Sequence, residues 1–306
     1  MIYHIIDHKG EGSIHKLILP LSQYEDSKII LLDTLHEGLP SIPIDDVIIV
    51  HSSGSAGGRF AKEIRHFFPF HRHIYIFMHT SVEYQRLKGR LDFLYKLKSD
   101  NIIMLTPSIE VSRQYTKFGF KTKTVQIGIP PINSTMIESK DELRPFYYKY
   151  ITTCTSNNEL YAYIKGIDLF EEMMQDIKLH TESLICGQTT CSNIINIQDF
   201  SLPNFINVLA HARAYIQLSR LDTYNITAIQ AKQLKIPTLI LKTEGTASCM
   251  RQYAYQTIED ISNEIKNLSN GVFNHDIIEE LYEDSIHRES LDNFHKSLTS
   301  IILNDE

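Results

Sequence analysis

The sequence predicts an α/β protein made of two doubly wound, Rossmann-like domains facing each other across a cleft. Three observations carry this. The chain has 306 residues, enough for about two domains with separate cores. Short runs rich in Ile and Val alternate with helix-length segments, the pattern of buried parallel strands in βαβ units. Between about Pro130 and Tyr148 that alternation breaks. The composition, 42% hydrophobic and 22% charged, is globular and excludes a disordered or fibrous chain. No apolar run approaches the roughly 18–20 residues of a membrane span.

The first six strands are expected at 2–6, 28–32, 47–50, 74–78, 102–105 and 124–127, with helical spacing over 60–68 and 82–97. The opening MIYHIIDHKG reads as a strand: its apolar run is too short for a signal h-region, and no small-residue cleavage site follows. PPINSTMIESKDELRPF holds three prolines and no sustained period, so it reads as a linker. Strands then follow at 150–154, 183–186, 214–218 and 238–241. Helices are expected from about 167, over 203–212 and over 224–234. Leu291, Phe294, Leu298, Ile301 and Ile302 form the apolar stripe of a terminal helix.

Charge is unevenly spread. Up to Lys140 there are 17 basic against 14 acidic residues (+3), and beyond it 13 against 23 (−10). Nine of the basic residues, against three acids, lie between Arg59 and Lys98. That stretch is either a solvated helix face or a surface for anionic headgroups or a phosphorylated acceptor. No nucleic-acid motif accompanies it. Cys154, Cys186, Cys191 and Cys249 form no paired framework and fit a reducing cytosol. Cys186 and Cys191 read as buried thiols rather than zinc ligands, since no second pair or nearby His stands with them.

Ligands of open parallel sheets bind at the carboxyl ends of the strands, so the residues there are the candidates. His8-Lys9-Gly10-Glu11-Gly12-Ser13 follows the first strand and opens a helix, where glycines and free N–H groups suit a phosphate. It is not a G-x-G-x-x-G, because His15 holds the third glycine position. The run Ser52 to Arg59 lacks the Lys-Ser/Thr of a P-loop. His79 closes the fourth strand and is either structural or a sugar contact. Most specific is AYIQLSRLDTYNITAIQAKQLKIPTLILKTEGTASCM, from Ala214 to Met250. There Asp222 sits in a loop after a strand, and Gln230 lies about a turn and a half into the next helix. The N–H groups of Tyr224, Asn225 and Ile226 are placed to receive a phosphate.

This segment resembles the donor-binding region of GT-B glycosyltransferases of the retaining family-4 group. Ser219-Arg220-Leu221-Asp222-Thr223-Tyr224-Asn225 is similar to that group's Ser-x-x-Glu-x-Phe-Gly, and Gln230-Ala231 stands where its second Glu and Ala do. Ile236-Pro237-Thr238-Leu239 follows as the Pro-led strand. Thr106-Pro107-Ser108, Phe118-Gly119-Phe120 and Val125 to Pro130 resemble the end of the N-terminal domain. Lys165-Gly166-Ile167-Asp168 resembles the Lys-Gly-x-Asp element, His79-Thr80 the strand-terminal His, and Gly10 to Ser13 the first glycine loop.

The resemblance implies a retaining, metal-independent hexosyltransferase without a cofactor. It would move a sugar from a nucleotide-sugar, a UDP-sugar, to a glycan, lipid-linked or protein acceptor in bacterial surface glycan synthesis. It implies an acceptor-side domain over 1–135, a donor domain over 148–285, and a terminal helix over 286–306 crossing back to the first. Lys165 would neutralise the donor pyrophosphate, with the backbone of Thr223, Tyr224, Asn225 and Ile226 completing the anion site. Asp222 would accept from the donor sugar, Gln230 would hold the ribose, and His79 would contact the sugar. Gly10, Gly12 and Ser13 would approach the phosphates. A cytoplasmic protein, peripheral to the membrane through Arg59 to Lys98, is the matching location. The departures are Asp222 and Gln230 in place of Glu, and Thr155-Ser156-Asn157-Asn158 where the family carries an Arg. Arg220 and Arg251 are the candidates to replace that Arg. A catalytically degenerate GT-B subunit and an epimerase of the same fold are the alternatives.

Overall fold

The computed structural model describes residues 1–6, 13–31, 41–52, 64–99, 102–133, 135, 137, 140–154, 156–187, 189, 192–197, 201–243 and 245–303. The chain divides into two compact units, Met1–Pro130 with Arg288–Glu306, and Pro131–His287.

The first unit is built on a six-stranded, wholly parallel sheet ordered β2-β1-β3-β4-β5-β6. Its strands are β1 (Ile2–Ile6), β2 (Ser27–Leu31), β3 (Val47–Ser52), β4 (Ile74–Met78), β5 (Ile103–Thr106) and β6 (Thr122–Thr124). Every residue of β1 and β4 is buried. The apolar run of β4, and that of β1 broken only by His4, follow from that, because a strand inside a parallel sheet has no solvent face. The order reverses between β1 and β3, the kind of point at which open parallel sheets take ligands beyond their carboxyl ends.

Three expectations are corrected in this unit. The last strand lies at Thr122–Thr124, not 124–127. An edge strand can be polar, while the apolar Val125 and Ile127 are buried just beyond it. The helix expected over 82–97 is two helices, Val82–Leu87 and Leu91–Ser99, parted at Gly89 with φ 64°. β3 runs on to His51 and Ser52.

The helix Leu291–Leu303 belongs to this first unit, burying Leu291, Phe294, Leu298 and Ile302. The Phe294 ring meets Phe77 edge-on at 6.2 Å, and Ser297 Oγ accepts from the Gln126 N–H at 3.0 Å. Where the chain re-enters the unit, Ile129 bridges Ser290 and donates to the Glu289 carbonyl at 2.9 Å. A Cβ on Gly128 would lie 1.9 Å from the Ser290 carbonyl oxygen, so only glycine fits there.

The second unit carries a five-stranded parallel sheet ordered β11-β10-β7-β8-β9. The strands are β7 (Tyr150–Thr153), β8 (Ser183–Cys186), β9 (Asn196–Ile197), β10 (Ala214–Gln217) and β11 (Thr238–Ile240). Here the order reverses between β7 and β10. The two-residue β9 was not expected, being too short and polar to register as a run. The segment read as a linker packs onto this unit. It forms a 3-10 turn over Asp141–Phe146, buries Leu143 and Tyr147, and donates the Tyr147 hydroxyl to Asn207 Oδ1. Among the described residues, no helix is long and apolar enough to cross a membrane.

Candidate functional site

In the second unit, polar side chains gather where the strand order reverses. Lys165 ends the helix Glu159–Lys165, which Asn158 caps by accepting from the Tyr161 N–H at 3.0 Å. Gly166 then turns the chain with φ 68°, and a Cβ there would lie 2.0 Å from the Leu218 carbonyl oxygen. Only glycine allows this approach, and it brings Lys165 against the end of β10. The Lys165 ammonium lies 3.0 Å from Asp222 Oδ2, with side-chain exposures of 21% and 8%. Burial disfavours the ammonium, but Asp222, with Tyr161 and Tyr215, outweighs it and raises the Lys165 pKa. The lysine is fully charged.

A hydrogen-bonded circuit supports this pair. Asn225 caps the helix Ile226–Gln233 by accepting from the Ala228 N–H at 3.0 Å, and its amide donates to the Tyr215 hydroxyl at 3.3 Å. Tyr215 donates to Gln217 Oε1 at 2.7 Å. The Gln217 amide donates to Ser219 Oγ and to the Lys165 carbonyl, the latter at 3.2 Å. Ser219 Oγ reaches Asp222 Oδ2 at 3.4 Å. Tyr215, Gln217, Ser219 and Asn225 are all buried, and burial pushes the Tyr215 hydroxyl up to about 12. The circuit fixes the carboxylate, the ammonium and the helix start with respect to one another. Such an arrangement suits a ligand that carries both hydroxyls and an anionic group.

Of the expected site residues, Lys165, Asp222 and Asn225 are brought together by this circuit. The helix begins at Ile226 rather than near Tyr224, because the Asn225 side chain stops it there as a cap. Tyr224 and Asn225 therefore precede the helix, and Tyr224 is buried. Thr223 places its carbonyl against Gly245, where a Cβ would come within 1.9 Å. Gln230 is half-buried one turn along the helix, not a turn and a half. Gly10 and Gly12 lie outside the described residues. Ser13 opens the helix Ser13–Ile18.

The two arginines weighed as replacements are engaged elsewhere. Arg220 grips Asp168 through two bonds of 2.7 Å, donates to the Tyr163 carbonyl and stacks 3.9 Å over the Tyr163 ring. Arg251 pairs with Asp284 at 2.9 Å. Cys154, Cys186 and Cys249 are buried thiols outside any disulfide, and burial pushes the Cys186 thiol up to about 12. Cys191 lies outside the described residues.

In the first unit, His79 is half-buried just past β4 and belongs to a row of three rings. His4 Nδ1 lies 3.0 Å from His51 Nε2, and His51 Nδ1 lies 3.1 Å from His79 Nε2. His79 also stacks on Phe77 at 4.5 Å. Burial lowers His4 and His79 to about 3, with His295 adding to the effect at His4, and takes His51 well below its ordinary value. All three rings are neutral. Sequence reasoning missed His4 and His51. The signal was a histidine inside each of two apolar strand runs, β1 and β3, which a doubly wound sheet makes neighbours.

No protein-family model matches the sequence, and no curated protein matches it. Solved structures do. One is the Anabaena protein Alr3699/HepE in complex with UDP and glucose, with TM-score 0.71 and 9% identity over 99% of this chain and 100% of that one. Another is the UDP-forming α,α-trehalose-phosphate synthase of Burkholderia xenovorans in complex with glucose-6-phosphate, with TM-score 0.64, 12% identity and coverages of 88% and 75%. The N-terminal domain of Candida albicans trehalose-6-phosphate phosphatase matches at TM-score 0.60 and 11% identity, over 99% and 96%. The chain has the fold of the GT-B glycosyltransferases.

Proposed function

We propose that this protein is a retaining glycosyltransferase of the family-4 kind, a hexosyltransferase that takes its sugar from a UDP-sugar and needs no metal. The observation that carries the reading is the Lys165–Asp222 pair, held by a buried circuit beside the capped start of the helix Ile226–Gln233. UDP and glucose in the HepE complex, and the UDP-forming reaction in the synthase's name, support a uridine donor.

An ammonium has three N–H donors. One serves Asp222, leaving two for the donor's pyrophosphate. In the reaction, the bond from the anomeric carbon to the nucleoside diphosphate breaks. A bond to the acceptor oxygen forms on the same face, and the acceptor's proton passes to a leaving phosphate oxygen. Negative charge grows on that phosphate as the bond breaks. A pre-placed cation in a dry site stabilises it more than water does. Asp222 accepts from sugar hydroxyls, Gln230 holds the ribose, and His79 is a further contact to the sugar. The acceptor is a glycan, a lipid-linked sugar or a protein.

Calorimetric titration with UDP and a panel of UDP-sugars tests the reading, alongside release of UDP from each. Micromolar binding that is lost in Lys165→Met is the expected result. A chain that binds no nucleoside diphosphate sinks it. The non-catalytic GT-B subunit would then take its place, a reading favoured by the engagement of Arg220 and Arg251 with their own carboxylates.

A peripheral, cytoplasmic location goes with the basic stretch from Arg59 to Lys98, within which Phe70 stands 79% exposed. Co-sedimentation with anionic vesicles should fall as salt rises. Binding that is absent, or indifferent to salt, removes this part of the proposal.

A further inference from the structure

The buried circuit beside Lys165 can run in one direction only, and that direction decides what its outer end offers. From it we infer that Thr153 is a ligand contact of the nucleotide-sugar site that presents a hydrogen-bond acceptor and no donor. It takes a hydroxyl or N–H of the nucleotide-sugar, not its phosphates.

Two backbone groups fix the direction. The Lys165 carbonyl can only accept, so the Gln217 amide nitrogen faces it and Gln217 Oε1 faces Tyr215. The Ala228 N–H can only donate, so Asn225 Oδ1 faces it, which leaves the Asn225 amide nitrogen for the Tyr215 oxygen. Gln217 Oε1 and the Tyr215 hydroxyl oxygen are 2.7 Å apart, a hydrogen-bond distance that two oxygens hold only with a proton between them. The amide oxygen has none, so the proton is that of Tyr215. Tyr215 keeps it at neutral pH, since burial pushes the hydroxyl up to about 12. Turning that proton to Asn225 Oδ1, 3.3 Å away, would leave the shorter pair bare. Thr153 Oγ1 lies 3.2 Å from the Tyr215 oxygen and 3.4 Å from Gln217 Oε1. Neither has a proton left for it, so Thr153 donates inward and its remaining capacity is its lone pairs.

The circuit does not need this hydroxyl. Gln217 Oε1 already has Tyr215, and the Tyr215 oxygen already has the Asn225 amide at 3.3 Å. Thr153 closes β7 at its carboxyl end and is the one residue of that strand that is not buried. Gln217 joins it to the Lys165 carbonyl through the two ends of one amide. Lys165 offers protons, which suit an anion, whereas an acceptor repels one. The two residues therefore divide a ligand that carries both phosphates and hydroxyls. The identity of that ligand rests on the proposed function; the direction of the hydrogen bonds does not.

The test is calorimetric titration of Thr153→Val, which keeps the shape and removes the hydroxyl, with UDP-glucose, UDP and inorganic pyrophosphate. Affinity for UDP-glucose should fall about fivefold, the worth of one neutral hydrogen bond, while that for pyrophosphate and the urea midpoint stay as they are. Thr153→Ser should bind like the native chain. A loss shared by UDP places the partner on the nucleoside, and a loss confined to UDP-glucose places it on the sugar. An equal loss for pyrophosphate, or none for UDP-glucose, overturns the inference. Neutron diffraction from deuterium-exchanged crystals without nucleotide reads the direction by itself. The Thr153 deuteron should point to Tyr215 or Gln217, and one pointing outward overturns the inference whatever binds. A chain that binds UDP-glucose while Thr153→Val changes nothing refutes the inference and spares the proposed function. A chain that binds neither UDP nor UDP-glucose refutes the proposed function and the ligand role of Thr153 with it, and an inward deuteron then upholds the direction alone.

Discussion

Where its strand order reverses, the first unit stacks neutral imidazoles, His4 beside His51 and on to His79, while the second places a lysine against an aspartate. Both sheets are parallel: His4 lies in the middle of β1, His51 near the carboxyl end of β3 and His79 just past β4, while Asp222 follows β10. Burying a polar group is costly unless it is satisfied. One unit meets that cost by giving up charge, the other by pairing it. The difference assigns chemistry: a neutral row can orient and donate, whereas a charged pair can steady a leaving phosphate. It also sets which unit acid attacks.

The largest expected effect is acid sensitivity of the first unit. His4 and His79 stay neutral in the folded chain down to about 3, and His51 is also lowered, while the unfolded rings protonate near 6.5. Folded pKa values below unfolded ones mean stability that is full above pH 6.5 and lost as pH falls from there toward 3. Three such rings cost roughly 4 kcal/mol per pH unit once the unfolded chain is fully protonated. Hydrogen exchange between pH 7 and 4.5 should show the first unit losing protection before the second. Equal loss in both units would break the comparison.

The next largest effect is on transfer. Asp222→Ala removes the carboxylate that holds the ammonium, and the transfer rate should fall about 10²–10³-fold. Lys165→Met should fall as far and also destabilise by about 3–5 kcal/mol, since it strands a buried carboxylate. Rates from single-turnover assays and midpoints from urea unfolding separate the two losses. Transfer that survives both changes would mean the pair is merely structural.

Smaller again is Gly166→Ala. The positive φ alone costs about 1–3 kcal/mol in an L-residue, and the Leu218 carbonyl must also retreat. Donor affinity should drop together with stability, because the same contact seats Lys165. Smallest is Arg220→Ala. Its partner Asp168 is 54% exposed, so the lost pair is worth at most about 1 kcal/mol. Donor affinity should hardly move in titration; a tenfold loss would make Arg220 part of the phosphate site and blur the contrast between the units.

Legibility in the sequence followed burial. β1, β4 and β10 were readable because strands covered on both faces are mostly apolar, with His4 and Gln217 as the polar exceptions. β6 was displaced by two residues because Val125 and Ile127 are buried outside the ladder, whereas Thr122–Thr124 pairs at an edge. Asp222 and Lys165 were each singled out, yet their 3.0 Å contact spans 57 residues and follows from Gly166 meeting Leu218. Propensity and periodicity do not encode such a crossing. The start of the helix Ile226–Gln233 was misplaced for a local reason, the Asn225 cap. His4 and His51 escaped notice because a histidine in an apolar strand looks like ordinary core until the strand order is known.

The bridge from Ile129 to Ser290 has a consequence for how the protein is made. The first unit needs the helix Leu291–Leu303, whose Phe294 and Leu298 are wholly buried in it. On the ribosome, that unit must wait with an open apolar seam while 157 residues of the second are translated, Pro131 to His287. The second unit is contiguous and can fold as it emerges. The first unit is therefore completed only after the second, with the helix Leu291–Leu303 as its latch.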